Sequence, residues 1–263
     1  MTDPHGFATM IDGCRLAWRS DGPDDAPVLV LSNSLGTAMA MWEDQVAALA
    51  RRFRVIRYDT RGHGASATMP GDASLDRLGH DVIELLDALG IAQAHFCGLS
   101  LGGMTGQWLG IHAPDRIDRL VIANSSSFMG PPQSWQDRMG LVRSQGMAAI
   151  TQAVLDRWFT PGFAASEAPG LERTRAQLLA TAPHGYAACC AAIRDMDLRP
   201  VVHLIDRPVL VIGGSLDPAT PPDHAEAIAA AIAGARLVML EAAHLSNIEQ
   251  PAAFTAALLD VLG

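Results

Sequence analysis

The sequence predicts an α/β fold with a mostly parallel central sheet flanked by helices and a helical cap inserted after the sixth strand. Three observations predict this fold. Over the first 124 residues, short β-branched or apolar runs alternate with longer helical patterns, which is typical of a parallel sheet with crossover helices. From Ser125 the alternation stops, and prolines separate several helical stretches. From residue 206 the alternation resumes, so the middle segment interrupts a sheet.

The first segment contains four strands that can be read directly from the sequence. Between the first two, residues 41–51 carry apolar side chains at helical spacing. A second helix is predicted over 75–89, with Ser74 as its N-cap and Gly90 as the residue that ends it. A third helix begins near Leu101. The strands are predicted at 28–31, 53–58, 95–97 and 120–123.

The middle segment is expected to form a helical cap, and caps of this kind are often mobile. It has no strand-like run before residue 208, and its helical stretches are 148–159, 171–180 and 186–193. Further strands and helices follow at 209–212, 223–233, 237–240 and 251–262. We therefore expect a first core part at 1–124, a cap at 125–205 and a second core part at 206–263.

The composition excludes several classes of partner. The 263-residue chain has a formal net charge of −9, from 19 basic and 28 acidic residues, and so lacks the basic surface that binds nucleic acid or anionic membranes. No apolar run approaches the roughly 20 residues that cross a bilayer, and Asp3 and Asp12 stand where a signal peptide would carry basic residues. We therefore expect a soluble cytoplasmic protein with no nucleic-acid or membrane partner, and the sequence leaves open whether it forms a homo-oligomer. The four cysteines lack zinc-ligand spacing and are expected to be reduced, mostly buried thiols: Cys14, Cys97, Cys189 and Cys190.

Ser100 is the candidate nucleophile. It lies in the segment Gly-Leu-Ser-Leu-Gly at 98–102, between a predicted strand and a predicted helix, and this context makes the G-x-S-x-G pattern informative. A serine in such a tight turn has a strained backbone, and the small residues Gly98, Gly102 and Gly103 let the turn and the helix approach each other. The pattern by itself also fits a glycine-rich turn with a solvent-facing serine.

The candidate acid and base follow Ser100 in the chain. A serine hydroxyl is a weak nucleophile until a histidine accepts its proton and an acid fixes the tautomer of that histidine. Asp217 comes just after the strand at 209–212, and His244 comes after the last strand, so the three residues stand in the order Ser, Asp, His. This order, with each residue at the end of a strand, favours a catalytic triad.

Each triad partner has rivals. Asp217 also fits a turn residue before Pro218, and Asp195 and Asp197 in the cap are weaker candidates for the acid. A lone histidine in a loop is often a surface group. However, none of the other candidate histidines follows the last strand: His63, His80, His95, His112, His184, His203 and His224.

Two backbone N–H groups are expected to stabilise the oxyanion of a tetrahedral intermediate. One belongs to Leu101, the residue after the nucleophile, at a helix N-terminus. The other is expected from the loop after the first parallel strand, where we assign it to Leu35, with Ser34 as the alternative. The same residues also fit an ordinary polar loop between a strand and a helix.

Over nearly its whole length the chain resembles the 3-oxoadipate enol-lactonases of the α/β-hydrolase superfamily. The superfamily features are the 98–102 turn and the segment Tyr-Asp-Thr-Arg-Gly-His-Gly-Ala-Ser at 58–66. Asn33-Ser34 stands where His-Gly is common in the superfamily, and the lactonases share this difference. The more selective segments are 32–37, 97–104, 157–161 and 186–197. The resemblance gives Ser100, Asp217 and His244 the roles of nucleophile, acid and base.

The resemblance implies a small, anionic five-membered enol lactone as substrate and 3-oxoadipate as product, with no metal and no cofactor. An anionic substrate needs a local positive site in a protein of negative net charge, and an arginine suits a carboxylate because its planar fork pairs with both oxygens. Cap arginines at 138, 143, 157 and 194 are available, and Trp135 and Trp158 are candidate apolar walls. We select Trp135 and Arg138 as the substrate-binding residues, and expect Arg61 and His63 to brace the loop after the strand at 53–58.

Other functions remain open at this point. A general carboxylesterase or a cofactor-free perhydrolase of the same fold would have an identical triad and a different cap. A non-enzymatic small-molecule receptor on a hydrolase scaffold could retain the triad. Epoxide hydrolases and dehalogenases fit less well, because they carry an aspartate where this chain has Ser100. A hydrolase of carbon–carbon bonds and a structural protein are further alternatives.

Overall fold

A computed structural model of the protein describes residues 6–166 and 168–263, so Asp3 lies outside the described residues. The described residues form one eight-stranded sheet. Its strands are β1 (Gly6–Thr9), β2 (Arg15–Asp21), β3 (Val28–Ser32), β4 (Arg54–Tyr58), β5 (Ala94–Leu99), β6 (Ile117–Ala123), β7 (Val209–Gly214) and β8 (Arg236–Leu240).

The sheet is mostly parallel, as the sequence predicts. The strand order is β1-β2-β4-β3-β5-β6-β7-β8, and only the pairs β1–β2 and β2–β4 are antiparallel. The sequence patterns did not reveal β1 and β2, because β1 has only four residues and charged residues interrupt the apolar alternation of β2. The other six strands overlap the predicted runs, so the helical insertion between β6 and β7 does follow the sixth strand.

Helices cover the sheet and fill the insertion. In α2 the Ser74 hydroxyl accepts the N–H of Arg77 at 3.1 Å, and Gly90 has a φ of 67°, so the predicted start and stop are both confirmed. The region around residue 41 differs from the prediction, because Met39–Trp42 form a 3-10 turn before the α-helix begins. The α-helices are α1 (Glu43–Leu49), α2 (Leu75–Ala88), α3 (Leu101–His112), α4 (Pro132–Gln145), α5 (Ala148–Trp158), α6 (Pro161–Ala165), α7 (Pro169–Ala180), α8 (Pro183–Asp195), α9 (Pro222–Ala231), α10 (Ser246–Glu249) and α11 (Pro251–Leu262).

The sequence patterns also missed α4. This helix follows two prolines and buries only Met139 and Val142, so it lacks the broad apolar stripe by which a helix is recognised. It packs along α8, whose residues from Gly185 to Ile193 are all buried. The insertion is therefore built around a buried Ala/Cys-rich helix with a polar helix on its outside.

The core sits on both faces of the central strands. Every residue of β5 and β7 is buried, as expected for parallel strands that are covered by helices on both sides. All four cysteines are buried free thiols, which confirms the prediction. Across the described ranges, no helix combines the length and the apolar character needed to cross a membrane.

Candidate active site

Ser100 lies in the turn between β5 and α3 and has an unusual backbone conformation. Its φ is 57° and its ψ is −114°, a region that costs a non-glycine residue of the order of 1–3 kcal/mol. Hydrogen bonds hold the turn in place: the Ser100 N–H donates to the carbonyl of Ala123 at 2.9 Å, and the Ser125 hydroxyl donates to the carbonyl of Ser100 at 2.8 Å. The strain is therefore maintained by neighbouring β6, and the side chain is held at the carboxyl edge of the sheet.

The backbone around Ser100 leaves no room for a side chain at the three neighbouring glycines. A Cβ on Gly98 would lie 2.0 Å from the carbonyl oxygen of Gly102, and a Cβ on Gly102 would lie 2.3 Å from that of Ser32. On Gly103 a Cβ would lie 2.6 Å from the Cβ of Ser125. Because most of these contacts involve backbone, no side-chain movement could relieve them. This confirms the steric role that the sequence predicts for these glycines.

Asp217 and His244 form a buried hydrogen-bonded pair. Asp217 follows β7, His244 follows β8, and His244 Nδ1 lies 2.8 Å from Asp217 Oδ2. Thr220 Oγ1 and Asn124 Nδ2 also donate to Oδ2, at 2.8 and 3.0 Å. The backbone N–H groups of Ala219 and Thr220 donate to Oδ1 at 2.7 and 3.0 Å. The carboxylate thus has partners on both oxygens.

These contacts keep Asp217 ionised. Burial by itself would raise the pKa of Asp217, but the His244 ring and the hydrogen bonds from Thr220 and Asn124 outweigh it and lower the pKa to about 2. An ionised carboxylate can only accept hydrogen bonds, so Nδ1 of His244 carries the proton. In the neutral ring Nε2 then carries no proton, and this is the tautomer that can accept a proton from a serine.

Asn124 and Thr220 were not predicted from the sequence. Asn124 directly follows β6 and has a φ of 41°; its amide also donates to the carbonyl of Ala243 at 3.2 Å and its oxygen accepts from Ser246 at 2.5 Å. It therefore links the ends of β6, β7 and β8. A polar residue immediately after a buried strand is the sequence signal that could have revealed it.

The loop after β3 contains the N–H of Leu35, which sequence analysis assigns to the oxyanion. The Ser34 N–H donates to Met41 Sδ at 3.3 Å, and the Gly36 N–H donates to His63 Nε2 at 2.9 Å. For the N–H of Leu35, between them, no acceptor is found among the described residues. The N–H of Leu101 opens α3 and likewise has no acceptor within its helix. Neither of the two N–H groups that the sequence assigns to an oxyanion therefore has an acceptor in the part of the chain that the structure describes.

The His63 side chain holds the loop after β3 in place. It is buried, and burial lowers its pKa to about 4 despite a hydrogen bond from its Nδ1–H to the carbonyl of Arg61 at 3.1 Å. The neutral ring therefore presents Nε2 as an acceptor to the Gly36 N–H. Arg61 is itself held by Asp81 through two contacts of 2.6 Å. The expectation that Arg61 and His63 brace the loop after β4 is confirmed, and the structure adds that His63 also holds the loop after β3.

Ser100 and His244 line one cavity of about 50 Å³ between the sheet and the insertion. One side, here called the sheet wall, consists of Ser34, Leu35, Ser100, Met104, Ala219, Thr220 and His244. The other side, the insertion wall, consists of Met129, Trp135, Arg138, Val154, Arg157, Trp158, Tyr186 and Ile193.

Trp135 and Arg138, selected from the sequence, both belong to the insertion wall. The Arg138 guanidinium lies 4.9 Å from the centre of the Trp135 ring, and the Trp135 indole N–H donates to the carbonyl of Met129 at 2.8 Å. Arg138 and Trp135 thus form a cation–π pair that faces the cavity. Arg157, one of the four cap arginines that sequence analysis considered, lines the same cavity.

The rival acids lie elsewhere. Asp195 pairs with Arg194 at 2.7 Å and Asp197 pairs with Arg199 at 2.6 Å, both on exposed parts of the insertion. Neither residue lines the cavity that holds Ser100 and His244. Their arginine partners lower the pKa of both carboxyl groups, as expected of surface ion pairs.

Comparison with known proteins identifies the family. The family model described as alpha/beta hydrolase fold matches residues 27–251. The chain is 46% identical over 247 residues to 3-oxoadipate enol-lactonase 2 of Acinetobacter baylyi, with 94% of this chain and 92% of the relative covered. It is 40% identical to 3-oxoadipate enol-lactonase 1 of the same organism, with 97% of this chain and 96% of the relative covered.

A solved structure agrees with these sequences. The crystal structure of the enol-lactonase from Burkholderia xenovorans superposes with a TM-score of 0.96 at 46% sequence identity, and the match covers 98% of this chain and 99% of that one. The family model and the relatives together cover the sheet, the insertion and the cavity. The chain therefore belongs to the α/β-hydrolase family, and its resemblance to the 3-oxoadipate enol-lactonases within that family is confirmed.

Proposed function

We propose that the protein hydrolyses 3-oxoadipate enol-lactone, a small anionic lactone, to 3-oxoadipate in the β-ketoadipate pathway of aromatic catabolism. One observation carries the proposal: full-length similarity to two curated enol-lactonases and to an enol-lactonase structure. The cavity is compatible with it, since Ser100 and His244 face a wall that holds two arginines. In this proposal the helical insertion, residues 125–205, acts as the cap that selects the substrate.

Ser100, His244 and Asp217 carry the reaction. His244 Nε2 accepts the Ser100 hydroxyl proton while the serine oxygen attacks the lactone carbonyl, and Asp217 stabilises the imidazolium that forms. Collapse of the tetrahedral intermediate breaks the ring carbon–oxygen bond and expels an enolate. Because that enolate is resonance-stabilised, ring opening needs little help from a general acid. The proton that His244 took from Ser100 then passes to the enolate, which becomes a ketone, and His244 returns to its neutral form. Water activated by His244 then hydrolyses the acyl-enzyme and releases a new carboxylate.

The oxyanion is bound by the N–H groups of Leu35 and Leu101. Leu35 is preferred over Ser34 because the Ser34 N–H already donates to Met41 Sδ, whereas no described acceptor takes the N–H of Leu35. Donors that are fixed before the reaction need no reorganisation when charge develops on the carbonyl oxygen.

Arg138 and Trp135 hold the substrate. The Arg138 guanidinium pairs with the carboxylate that the lactone carries, and Trp135 provides an apolar face for the ring. Arg138→Gln and Trp135→Ala should raise KM for the lactone more than they lower kcat, because they remove binding that is common to substrate and transition state. Arg143→Gln is the matched control, since Arg143 pairs with Asp72 at 2.7 Å and lies outside the cavity.

The decisive experiment follows the ultraviolet absorbance of freshly generated 3-oxoadipate enol-lactone. Wild-type protein and Ser100→Ala are compared, with correction for spontaneous hydrolysis, and we expect fast loss of absorbance that depends on Ser100. No acceleration, combined with Ser100-dependent cleavage of an aryl acetate, would replace the lactonase by a general esterase. Inactivity on both substrates would favour a non-enzymatic receptor.

A further inference from the structure

Two arginines of the insertion differ from the others in their partners. Five of the insertion's arginines pair with carboxylates: Arg143, Arg173, Arg175, Arg194 and Arg199. Arg138 and Arg157 have no carboxylate oxygen within 4.0 Å among the described residues. Both of them line the cavity that contains Ser100 and His244. The unpaired positive charges of the insertion are therefore concentrated at the candidate active site.

The two guanidinium groups contact different neighbours at the cavity. The Arg138 guanidinium lies over the Trp135 ring and hydrogen-bonds the Tyr186 hydroxyl. Arg157 is on the side of the triad, because its guanidinium donates to the carbonyl of Pro218 at 3.4 Å, next to Asp217. Each group could therefore meet a different end of one extended ligand.

The protein's own groups do not satisfy this charge. Burial and the positive charge of Arg138 lower the pKa of Arg157, so the two groups repel each other. Asp217 offsets part of the charge, but hydrogen bonds from His244, Thr220 and Asn124 already occupy its oxygens. Partly buried like charges without a carboxylate partner are unfavourable, and a bound anion would relieve them.

The charge of the proposed reactants changes during the reaction. The enol lactone carries one carboxylate, and hydrolysis at Ser100 creates a second one. A single guanidinium fork is enough for the substrate, whereas two forks match the dianionic product. The second arginine is thus unexplained by the substrate alone.

We propose that Arg138 and Arg157 form a dicarboxylate site in which Arg138 binds the carboxylate already present in the substrate and Arg157 binds the carboxylate that the reaction creates. This inference rests on the proposed function for the identity of the natural ligand. It makes Arg157 a specificity-determining residue for a six-carbon chain with an acid at each end. A dicarboxylate of that length binds more tightly than the corresponding monocarboxylate and competes with substrate.

Isothermal titration calorimetry with adipate and hexanoate tests the site without any turnover. The two probes have equal chain length and differ in one carboxylate. We expect wild-type protein to bind adipate about tenfold more tightly than hexanoate, since a charge-assisted hydrogen bond contributes about 1.5 kcal/mol or more. Arg157→Gln should remove this difference by weakening adipate alone, and Arg138→Gln should weaken both probes. Arg143→Gln, outside the cavity, should change neither.

Two results would overturn the site: equal affinity of wild-type protein for the two probes, or an unchanged preference for adipate in Arg157→Gln. Thermal unfolding of each variant shows whether it is folded, and a folded Arg157→Lys provides a second variant that keeps the charge and loses the fork. Because binding is measured without enol lactone, the site can stand if the protein proves to be another hydrolase. Equally, lactone hydrolysis can be demonstrated while the two probes bind alike, and then only the dicarboxylate site fails.

Discussion

The two walls of the cavity are built on different principles. On the sheet wall, residues behind the cavity lining fix the groups that face the reaction: Asp217, with partners on both oxygens, holds His244, and Met41 and His63 hold the loop after β3. On the insertion wall, Arg138 and Arg157 carry charge with no carboxylate partner among the described residues. Polar groups that are fixed in advance can stabilise charge that develops in a transition state. Charged groups without an ionic partner can instead bind a ligand of opposite charge.

This difference predicts which kinetic constant a substitution on each wall will change. Changes to the sheet wall should lower kcat for any ester or lactone that reaches Ser100, because they affect the transition state. Changes to the insertion wall should alter KM and the choice of substrate. The following variants test that division, beginning with the largest expected effect.

Asp217→Asn should lower kcat by about 10⁴-fold with little change in KM. An amide can donate a hydrogen bond to Nδ1 of His244 and so favour the tautomer that cannot accept the Ser100 proton. Hydrolysis assays with an aryl acetate and with the lactone should show the same loss of kcat, since the defect lies in the chemistry that both substrates share. Asp195→Asn, which alters an exposed ion pair with Arg194, is the control and should keep wild-type activity. A loss confined to the lactone would assign Asp217 to substrate binding.

Gly36→Ala should lower kcat by about 10²-fold, the effect of losing one oxyanion donor. Gly36 has a φ of 81°, and a Cβ there would lie 2.7 Å from Leu178 Cδ1 and 3.0 Å from Tyr186 Cε2, so the loop carrying Leu35 must shift. The control is Gly71→Ala, because Gly71 has a φ of 84° and open space around its Cβ position. Both substitutions place an alanine at a positive φ and so carry the same kind of backbone strain, and only Gly36→Ala should lose activity. Equal kcat values in the two variants would exclude the loop as an oxyanion donor.

Much of the sheet wall could be predicted from the sequence because its determinants are local. Ser100 is marked by glycines two residues away on either side, and Asp217 and His244 directly follow strand patterns. Asn124 was missed because its importance comes from a contact with Asp217, which is 93 residues away. No pattern within a short window encodes such a contact.

The insertion wall was harder to predict for the same reason. Sequence reasoning found four arginines in the insertion and could not rank them beyond a choice of Arg138. The fold separates them, because Arg143 and Arg194 meet Asp72 while Arg138 and Arg157 face the cavity. The partner of a charged side chain depends on which helices pack together, and α4 itself lacks a readable apolar stripe. The strands β1 and β2 were missed for a different reason, since β1 has only four residues and charged residues interrupt the alternation of β2.

His63→Leu should lower kcat about tenfold, less than Gly36→Ala, because it loosens the oxyanion loop without forcing it to move. Leucine fills the buried space but cannot accept the Gly36 N–H, now bonded to His63 Nε2 at 2.9 Å. His63→Gln restores an acceptor and should recover part of kcat. KM should change little in both variants, because His63 does not line the cavity. If Leu and Gln variants were equally slow, the role of His63 would be packing alone.

The same histidine should make stability depend on pH. The pKa of His63 is about 4 in the folded protein, because of burial, and about 6.5 in an unfolded chain. Above pH 6.5 the ring is neutral in both states, and as the pH falls towards 4 only the unfolded chain takes up the proton, so stability falls. The total loss is about 3 kcal/mol. Urea denaturation between pH 7 and pH 4 should show a steeper decline for the wild type than for His63→Gln, and parallel curves would contradict the assignment.

The smallest expected effect lies where the two walls meet. Glu249 accepts the Ala243 N–H at 2.9 Å, beside His244, and also the hydroxyl of Thr160, the N-cap of α6. The neighbouring Leu245 N–H donates to the carbonyl of Trp158 at 3.0 Å. Glu249 therefore connects the loop that carries the base to the insertion that carries the arginines.

Glu249→Gln should change kcat and KM together, each by about threefold, because weaker hydrogen bonds to a neutral amide loosen both walls at once. Glu241→Gln, at an exposed position on the same connection, is the matched control. Combination with Arg138→Gln then measures the coupling between the walls, since independent walls give additive free-energy changes. An additive double variant would mean that the walls act separately, whereas a coupling of about 0.5 kcal/mol or more would mean that the position of the insertion is transmitted to His244.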